Sequence, residues 1–129
     1  FEDAINFELK KEKINLVCLA GFMTILSEAF IKKWKNKIIN IHPSLLPSFK
    51  GLNAQSQAFR YGVKYTGCSV HYVDKEIDSG KIIDQEVVKI SEKDTIESIT
   101  RKILMKEHIL YINALKQLEE IYIDGQDKK

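Results

Sequence analysis

The 129-residue sequence is poor in the residue types that mark several large protein classes. Two cysteines and two prolines fit neither a disulfide-rich secreted scaffold nor a proline-rich linker protein. No apolar run approaches the roughly 20 residues that a membrane-spanning helix needs, and no signal-peptide pattern opens the chain. Twenty basic and eighteen acidic residues nearly balance, which argues against a nucleic-acid-binding surface.

Several catalytic motifs are also missing. The sequence has no P-loop, no G-x-G-x-x-G, no G-x-S-x-G and no zinc-ligand spacing, and its three histidines are widely spread. Cys18 and Cys68 lie in apolar, strand-like runs and are predicted to be buried free thiols, which favours a reducing, cytoplasmic location. We therefore expect metal-free, non-covalent chemistry that relies on positioning, charge stabilisation and proton transfer.

What is present is the composition of a single globular domain, residues 1–129, with 44% hydrophobic and 29% charged residues. Apolar periodicity predicts helices and strands in alternation, followed by two adjacent strands and a final helix that Asp94 can cap. This order predicts an α/β fold with a mostly parallel sheet flanked by helices and an antiparallel element near the C-terminal end. Residues 122–129 are predicted to be a frayed tail. The predicted helices cover residues 1–11, 28–34, 54–60 and 94–121, and the predicted strands cover residues 14–20, 37–41, 65–74 and 81–90.

Asn40 and His42 are the first candidates for chemistry. They lie two residues apart at the carboxyl end of a predicted buried strand, so both side chains leave the same face of the sheet, where ligands of α/β proteins bind. Pro43 and Pro47 stiffen the loop that follows. An amide and an imidazole that point together can stabilise a developing oxyanion. The alternative is that Asn40 holds a loop and His42 caps the strand end.

Three other polar residues have two possible roles each. Asp78, in the turn IDSG, either forms an Asx turn or pairs with His42 and favours its imidazolium form. Ser69 and His71 alternate on a strand, where His71 is either structural or part of a pocket wall. Glu107 interrupts the apolar stripe of the last helix, either where the stripe drifts to the surface or where it faces a polar substrate.

Three separated segments resemble the folate-dependent formyltransferases, and most closely the branch that acts on glycinamide ribonucleotide. They are LAGFMTILS (residues 19–27), INIHPSLLPSFKGLNAQSQA (residues 39–58) and GCSVHYVDKEIDSGKII (residues 67–83). The likeness extends over about residues 14–118, in the family's order and spacing, and implies a Rossmann-like sheet. Because three separate motifs coincide, the resemblance is specific.

The resemblance implies roles for individual residues. Asn40, His42 and Asp78 match the family's catalytic trio, and Glu107 matches a glutamate that holds the ribonucleotide. Pro43 is assigned with Glu107 to substrate binding, and Ser69 and His71 to support of the pocket. The implied folate pocket is lined by Met23, Thr24, Ile25, Leu26, Ile31, Ile38, Val73, Asp74, Lys75 and Glu76.

The implied activity is transfer of a formyl group from 10-formyltetrahydrofolate to the amine of glycinamide ribonucleotide in purine biosynthesis. 10-Formyltetrahydrofolate is the co-substrate, no metal takes part, and neither nucleic acid nor membrane is a partner; a homodimer is left open. The alternatives are a formyltetrahydrofolate deformylase, in which water is the acceptor, and an inactive folate-binding fragment. A formyltransferase acting on methionyl-tRNA fits less well, because the chain lacks length for an RNA-binding domain and a basic surplus.

The sequence departs from the family pattern in three places. Thr24 replaces an arginine found in some members, and Gln55 replaces a common histidine. The family also begins with a strand and a Gly/Ser/Asn-rich loop that cradles the substrate phosphate, and no segment here matches it. We therefore expect about two-thirds of a domain, and either further residues upstream of Phe1 or a fragment that is unstable alone.

Overall fold

The computed structural model describes residues 17–20, 28–33, 37–74 and 79–127. The predicted first helix lies outside these residues. Within them the predicted order of strands and helices is confirmed, with boundaries that differ by a few residues. The elements are β1 (Val17–Ala20), α1 (Glu28–Lys33), β2 (Ile38–His42), α2 (Ala54–Tyr61), β3 (Tyr65–Tyr72), β4 (Ile82–Lys89) and α3 (Ile96–Asp127).

The described strands form one sheet in the order β1-β2-β3-β4. β1 and β2 run parallel, whereas β2–β3 and β3–β4 are antiparallel pairs. The α/β class and the antiparallel element near the C-terminal end are thus confirmed. β3 runs antiparallel to β2 because the long connection through α2 reverses the chain instead of crossing over the sheet, as a helix between two parallel strands does.

Alternation along the strands gives the sheet two different faces. Ile39 and Ile41 of β2 point toward α3, whereas Ile38, Asn40 and His42 leave the opposite face. The core on the α3 side consists of apolar side chains from three strands and the helix, and their burial provides the main favourable contribution to the stability of the fold. The buried members are Ile39, Ile41, Cys68, Val70, Val88, Ile99, Ile103, Leu110 and Ala114.

The start of α3 is fixed by a group of side-chain hydrogen bonds. Thr95 Oγ1 accepts from the Ser98 backbone N–H at 3.1 Å, and Ser98 Oγ accepts from the Thr95 N–H at 2.8 Å. Asp94, the predicted cap, supports this arrangement from one residue earlier by accepting from Ser98 Oγ at 2.7 Å. The hydrogen bond from Lys102 holds the pKa of Asp94 well below its usual range.

α3 continues to Asp127, beyond residue 122, where the sequence predicts a frayed tail. Extending an existing helix needs only one further residue to be fixed per hydrogen bond, so a weak apolar pattern does not end it. Of the helices in the described ranges, none is both long and apolar enough to cross a membrane. No group of three or more His, Cys, Asp or Glu side chains with metal-binding geometry occurs in residues 17–20, 28–33, 37–74 and 79–127.

Candidate active site

Four of the predicted site residues meet on one face of the sheet. Asn40 pairs with His71 across β2 and β3, and His42 pairs with Ser69 one row further along. His42 is only 5% exposed, and Ser69 and His71 are buried as well. The polar pair at the carboxyl end of β2 is therefore held by the sheet itself.

Asn40 has an unused polar atom. Within the described part of the chain, its side-chain oxygen Oδ1 is buried and has no hydrogen-bond partner. Buried polar atoms are nearly always paired, and one that is not requires an explanation. A ligand N–H at this position would satisfy the Asn40 oxygen.

The ring of His42 is oriented by the loop of residues 43–53, which we call the His42 loop. The Nε2 atom of His42 lies 2.9 Å from the carbonyl oxygen of Phe49. A carbonyl oxygen only accepts, so Nε2 carries the proton. The ring has a second N–H, on Nδ1, only when it is an imidazolium.

The His42 loop is held by a side chain that the sequence analysis missed. Gln85 of β4 donates from Nε2 to the carbonyl oxygen of Leu46 and to Ser69 Oγ, both at 2.9 Å. Ser69 Oγ in turn donates to the Ser44 carbonyl oxygen at 2.7 Å and accepts from the Leu46 N–H at 3.0 Å. The only local signal for Gln85 is the polar triplet DQE in the middle of a strand.

The far end of the His42 loop is held from α2. Gln57 Nε2 donates to the carbonyl oxygens of Lys50 at 3.1 Å and Leu52 at 2.8 Å. Phe49 and Asn53 adopt left-handed backbone conformations, with φ of 52° and 57°. Such conformations are uncommon for residues with side chains and persist where the surroundings impose them.

Glu107 reaches the sheet from the opposite face. Burial raises the pKa of the Cys68 thiol to about 12, and the negative charges of Glu107 and Glu86 add to this effect. Cys68 precedes Ser69, the strand partner of His42, and its side chain belongs to the core on the α3 side of the sheet. Burial raises the pKa of Glu107, and the neighbouring His108 partly opposes this effect.

The predicted folate-binding residues are described in part. Ile38 is buried on the face that carries Asn40 and His42, and Ile31 of α1 is buried as well. The Val73 N–H donates to the Ile38 carbonyl oxygen at 2.9 Å, and Asp74 is exposed. The remaining predicted folate contacts, and the predicted catalytic Asp78, lie outside the described residues: Met23, Thr24, Ile25, Leu26, Lys75, Glu76 and Asp78.

The turn that follows Asp78 is anchored to β3. The Tyr72 N–H donates to the Lys81 carbonyl oxygen at 2.9 Å. A Cβ atom at Gly80 would collide with the Tyr72 carbonyl oxygen, so only glycine fits there. Pro43, half-buried, follows His42 directly and starts the His42 loop.

The chain is similar to known proteins both in sequence and in structure. A family model described as formyl transferase matches residues 1–115. The chain is 48% identical over 128 residues to the trifunctional purine biosynthetic protein adenosine-3 of Chironomus tentans. The match covers 99% of this chain but only 9% of that protein.

Two solved structures are also similar. The crystal structure of phosphoribosylglycinamide formyltransferase from Anaplasma phagocytophilum superposes with a TM-score of 0.89 at 52% identity, covering 92% of this chain and 56% of that one. A formyltetrahydrofolate deformylase from Pseudomonas syringae pv. tomato superposes with a TM-score of 0.86 at 35% identity, covering 92% and 40%. The chain thus spans only part of the length of these relatives, from 9% of the Chironomus protein to 56% of the Anaplasma protein.

Proposed function

Because the chain belongs to the formyl transferase family, we propose that it transfers a formyl group from 10-formyltetrahydrofolate to the amine of glycinamide ribonucleotide. The observation that carries the proposal is that the side chains of Asn40 and His42 leave the same face of the sheet at the carboxyl end of β2. The similar Anaplasma protein, whose name gives this activity, and the three family-like segments support the choice of acceptor. In this proposal the step belongs to de novo purine biosynthesis.

The reaction needs a site that stabilises a transient negative charge. The amine nitrogen forms a bond to the formyl carbon, and the carbonyl electrons move to the formyl oxygen. When the tetrahedral intermediate collapses, the bond from carbon to the folate nitrogen breaks, and that nitrogen takes up a proton. Donors fixed in advance around the oxygen lower the barrier, because they need no reorganisation when the charge appears.

Asn40 and His42 supply these donors in our proposal. The Asn40 amide N–H donates to the oxyanion, while its buried Oδ1 can accept an N–H of the attacking amine. The His42 ring, oriented by the hydrogen bond from Nε2 to the Phe49 carbonyl oxygen, acts in its imidazolium form as the charged donor. A charged donor forms a stronger hydrogen bond than a neutral one.

The remaining roles follow from the resemblance. Asp78 orients His42 and helps to pass the amine's proton, through water, to the departing folate nitrogen. Glu107 holds the ribonucleotide together with Pro43, and the pteridine ring of the folate packs against Ile31 and Ile38. The two substrates are small molecules, and we place the protein in the cytoplasm because Cys68 is a buried free thiol.

Dependence on the acceptor tests the proposed function. Release of tetrahydrofolate from 10-formyltetrahydrofolate is measured with the 129-residue protein, with and without glycinamide ribonucleotide. We expect release only when the ribonucleotide is present. No turnover under either condition would favour a folate-binding fragment and would contradict the transferase.

A deformylase is the second candidate, because a deformylase structure superposes on most of this chain. That enzyme class uses water as the acceptor, so its tetrahydrofolate release would not depend on the ribonucleotide and would yield free formate. Equal rates of release with and without glycinamide ribonucleotide would establish this alternative.

Replacing Glu107 with glutamine should separate substrate binding from stability. Loss of a hydrogen bond to a charged group should raise KM for the ribonucleotide about 10-fold to 10²-fold. Because burial raises the pKa of Glu107, ionising it costs stability as pH rises from its ordinary pKa through the raised one. Glu107→Gln should therefore melt higher than wild type at neutral pH, and the difference should vanish below the ordinary pKa of glutamate.

The matched control is Glu92→Gln, since Glu92 is exposed in the turn before α3. It should change neither KM nor the dependence of melting on pH. A Glu107→Gln enzyme with the wild-type KM for the ribonucleotide would contradict the substrate-binding role of Glu107.

A further inference from the structure

Gln85 lies in line with His42 across the sheet. His42 of β2 pairs with Ser69 of β3, and Ser69 pairs with Gln85 of β4. Directly opposed residues in paired strands project from the same face. The three side chains therefore form a row beneath the His42 loop, with Gln85 at the end farthest from the ring.

Every hydrogen-bonding group of Ser69 and of the Gln85 amino group is used in this row. The two N–H groups on Gln85 Nε2 go to Leu46 O and Ser69 Oγ. The Ser69 hydroxyl donates to Ser44 O, and its two lone pairs accept from Leu46 N–H and Gln85. Without the Gln85 amide, the Leu46 carbonyl oxygen would lose this donor, and Ser69 Oγ would accept only from the Leu46 N–H.

The bonds continue from Gln85 to the ring of His42. Beyond Leu46, Ser44 Oγ donates to the Ser48 carbonyl oxygen at 2.5 Å, and the next residue, Phe49, accepts from His42 Nε2 at 2.9 Å. Ser44 and Leu46 are themselves buried, so water cannot replace these hydrogen bonds if they are lost. A shift of Leu46 would move the carbonyl oxygen that orients the ring.

We propose that Gln85 is a positioning residue, which sets the orientation of the His42 ring through Ser69 and the His42 loop; this rests on the proposed function. Gln85 touches neither substrate. Its role is to keep the donor on His42 aimed at the place where negative charge develops. Small misplacements of catalytic groups are costly, because a displacement of about 1 Å can reduce the rate on the order of 10²-fold.

Two substitutions test the role of Gln85. Gln85→Leu removes both donors, and we expect kcat to fall about 10-fold to 10²-fold, with KM for both substrates within about twofold of wild type. Gln85→Glu keeps the shape, but an ionised carboxylate cannot donate to Leu46. Its kcat relative to wild type at the same pH should rise as pH falls, because the protonated acid regains one O–H donor.

Gln117→Leu is the matched control. Gln117 also donates from Nε2, to Asp84 at 2.9 Å, but it is exposed on α3. It should leave kcat and KM at the wild-type values. An equal loss of kcat in Gln117→Leu and Gln85→Leu would show a general loss of stability and would overturn the proposal.

The signal of the His42 Nε2 proton in the NMR spectrum gives a readout that is independent of turnover. We expect this signal to shift, or to exchange faster with water, in Gln85→Leu and not in Gln117→Leu. An unchanged signal together with an unchanged kcat would overturn the role of Gln85. If wild type itself transfers no formyl group, the proposed function fails, and the NMR signal alone still decides whether Gln85 positions the ring.

Discussion

Replacing Asn40 with alanine should lower kcat for formyl transfer by about 10²-fold to 10³-fold, the usual cost of losing one oxyanion donor. In the proposed mechanism Asn40 donates to the oxygen only as negative charge develops, so kcat should fall much more than KM rises. The substitution also removes a buried oxygen that has no partner within the described residues. We therefore expect little loss of thermal stability, measured as Tm.

Two further variants make this prediction sharper. Asn113→Ala, an exposed position on α3, makes the same chemical change away from the site and should behave as wild type. Asn40→Asp keeps a side-chain oxygen but loses the N–H and adds negative charge, so its kcat should fall at least as far as in Asn40→Ala. If Asn40→Asp retained the wild-type kcat, Asn40 would not be an oxyanion donor.

Replacing His42 with alanine should cost about 10²-fold to 10⁴-fold in kcat, the range for removing a group that stabilises charge and takes part in proton transfer. This change removes two things at once: the proposed cationic donor and the hydrogen bond that Nε2 makes to Phe49. The loss should therefore be accompanied by faster proteolysis of the His42 loop.

His42→Gln separates these two contributions. Its amide can still donate to the Phe49 carbonyl oxygen, but it cannot become cationic. We expect proteolysis of the His42 loop to return to the wild-type rate while kcat stays low, as measured by steady-state kinetics and limited digestion. Recovery of kcat in His42→Gln would mean that His42 only holds the loop.

The strands, the helices and the placement of Asn40 and His42 on one face of a strand could be predicted, because they depend on local patterns. Side chains two residues apart on a strand share a face whatever the rest of the fold does. The direction of β3 could not be predicted in this way, because the connection from β2 includes a helix and resembles a parallel crossover. The mixed sheet is a property of packing between distant segments.

Gln85 shows why part of the site escapes sequence analysis. It contacts Leu46, 39 residues away, and Ser69, 16 residues away, and both contacts depend on the register of β3 with β4. A polar triplet in a strand indicates that something is bound there but not what it is. The left-handed conformation of Phe49, which directs its carbonyl oxygen to His42, has no marker in residue type either.

We propose that the residues at the end of β2 drive transfer of the formyl group to the amine. The most direct test follows a ¹³C-labelled formyl group from 10-formyltetrahydrofolate by NMR, with glycinamide ribonucleotide present, in wild type and in Asn40→Ala. We predict that wild type places the label on the ribonucleotide amine and that Asn40→Ala does so about 10²-fold to 10³-fold more slowly. Label that appears as free formate, or equal rates of transfer in the two proteins, would contradict the account.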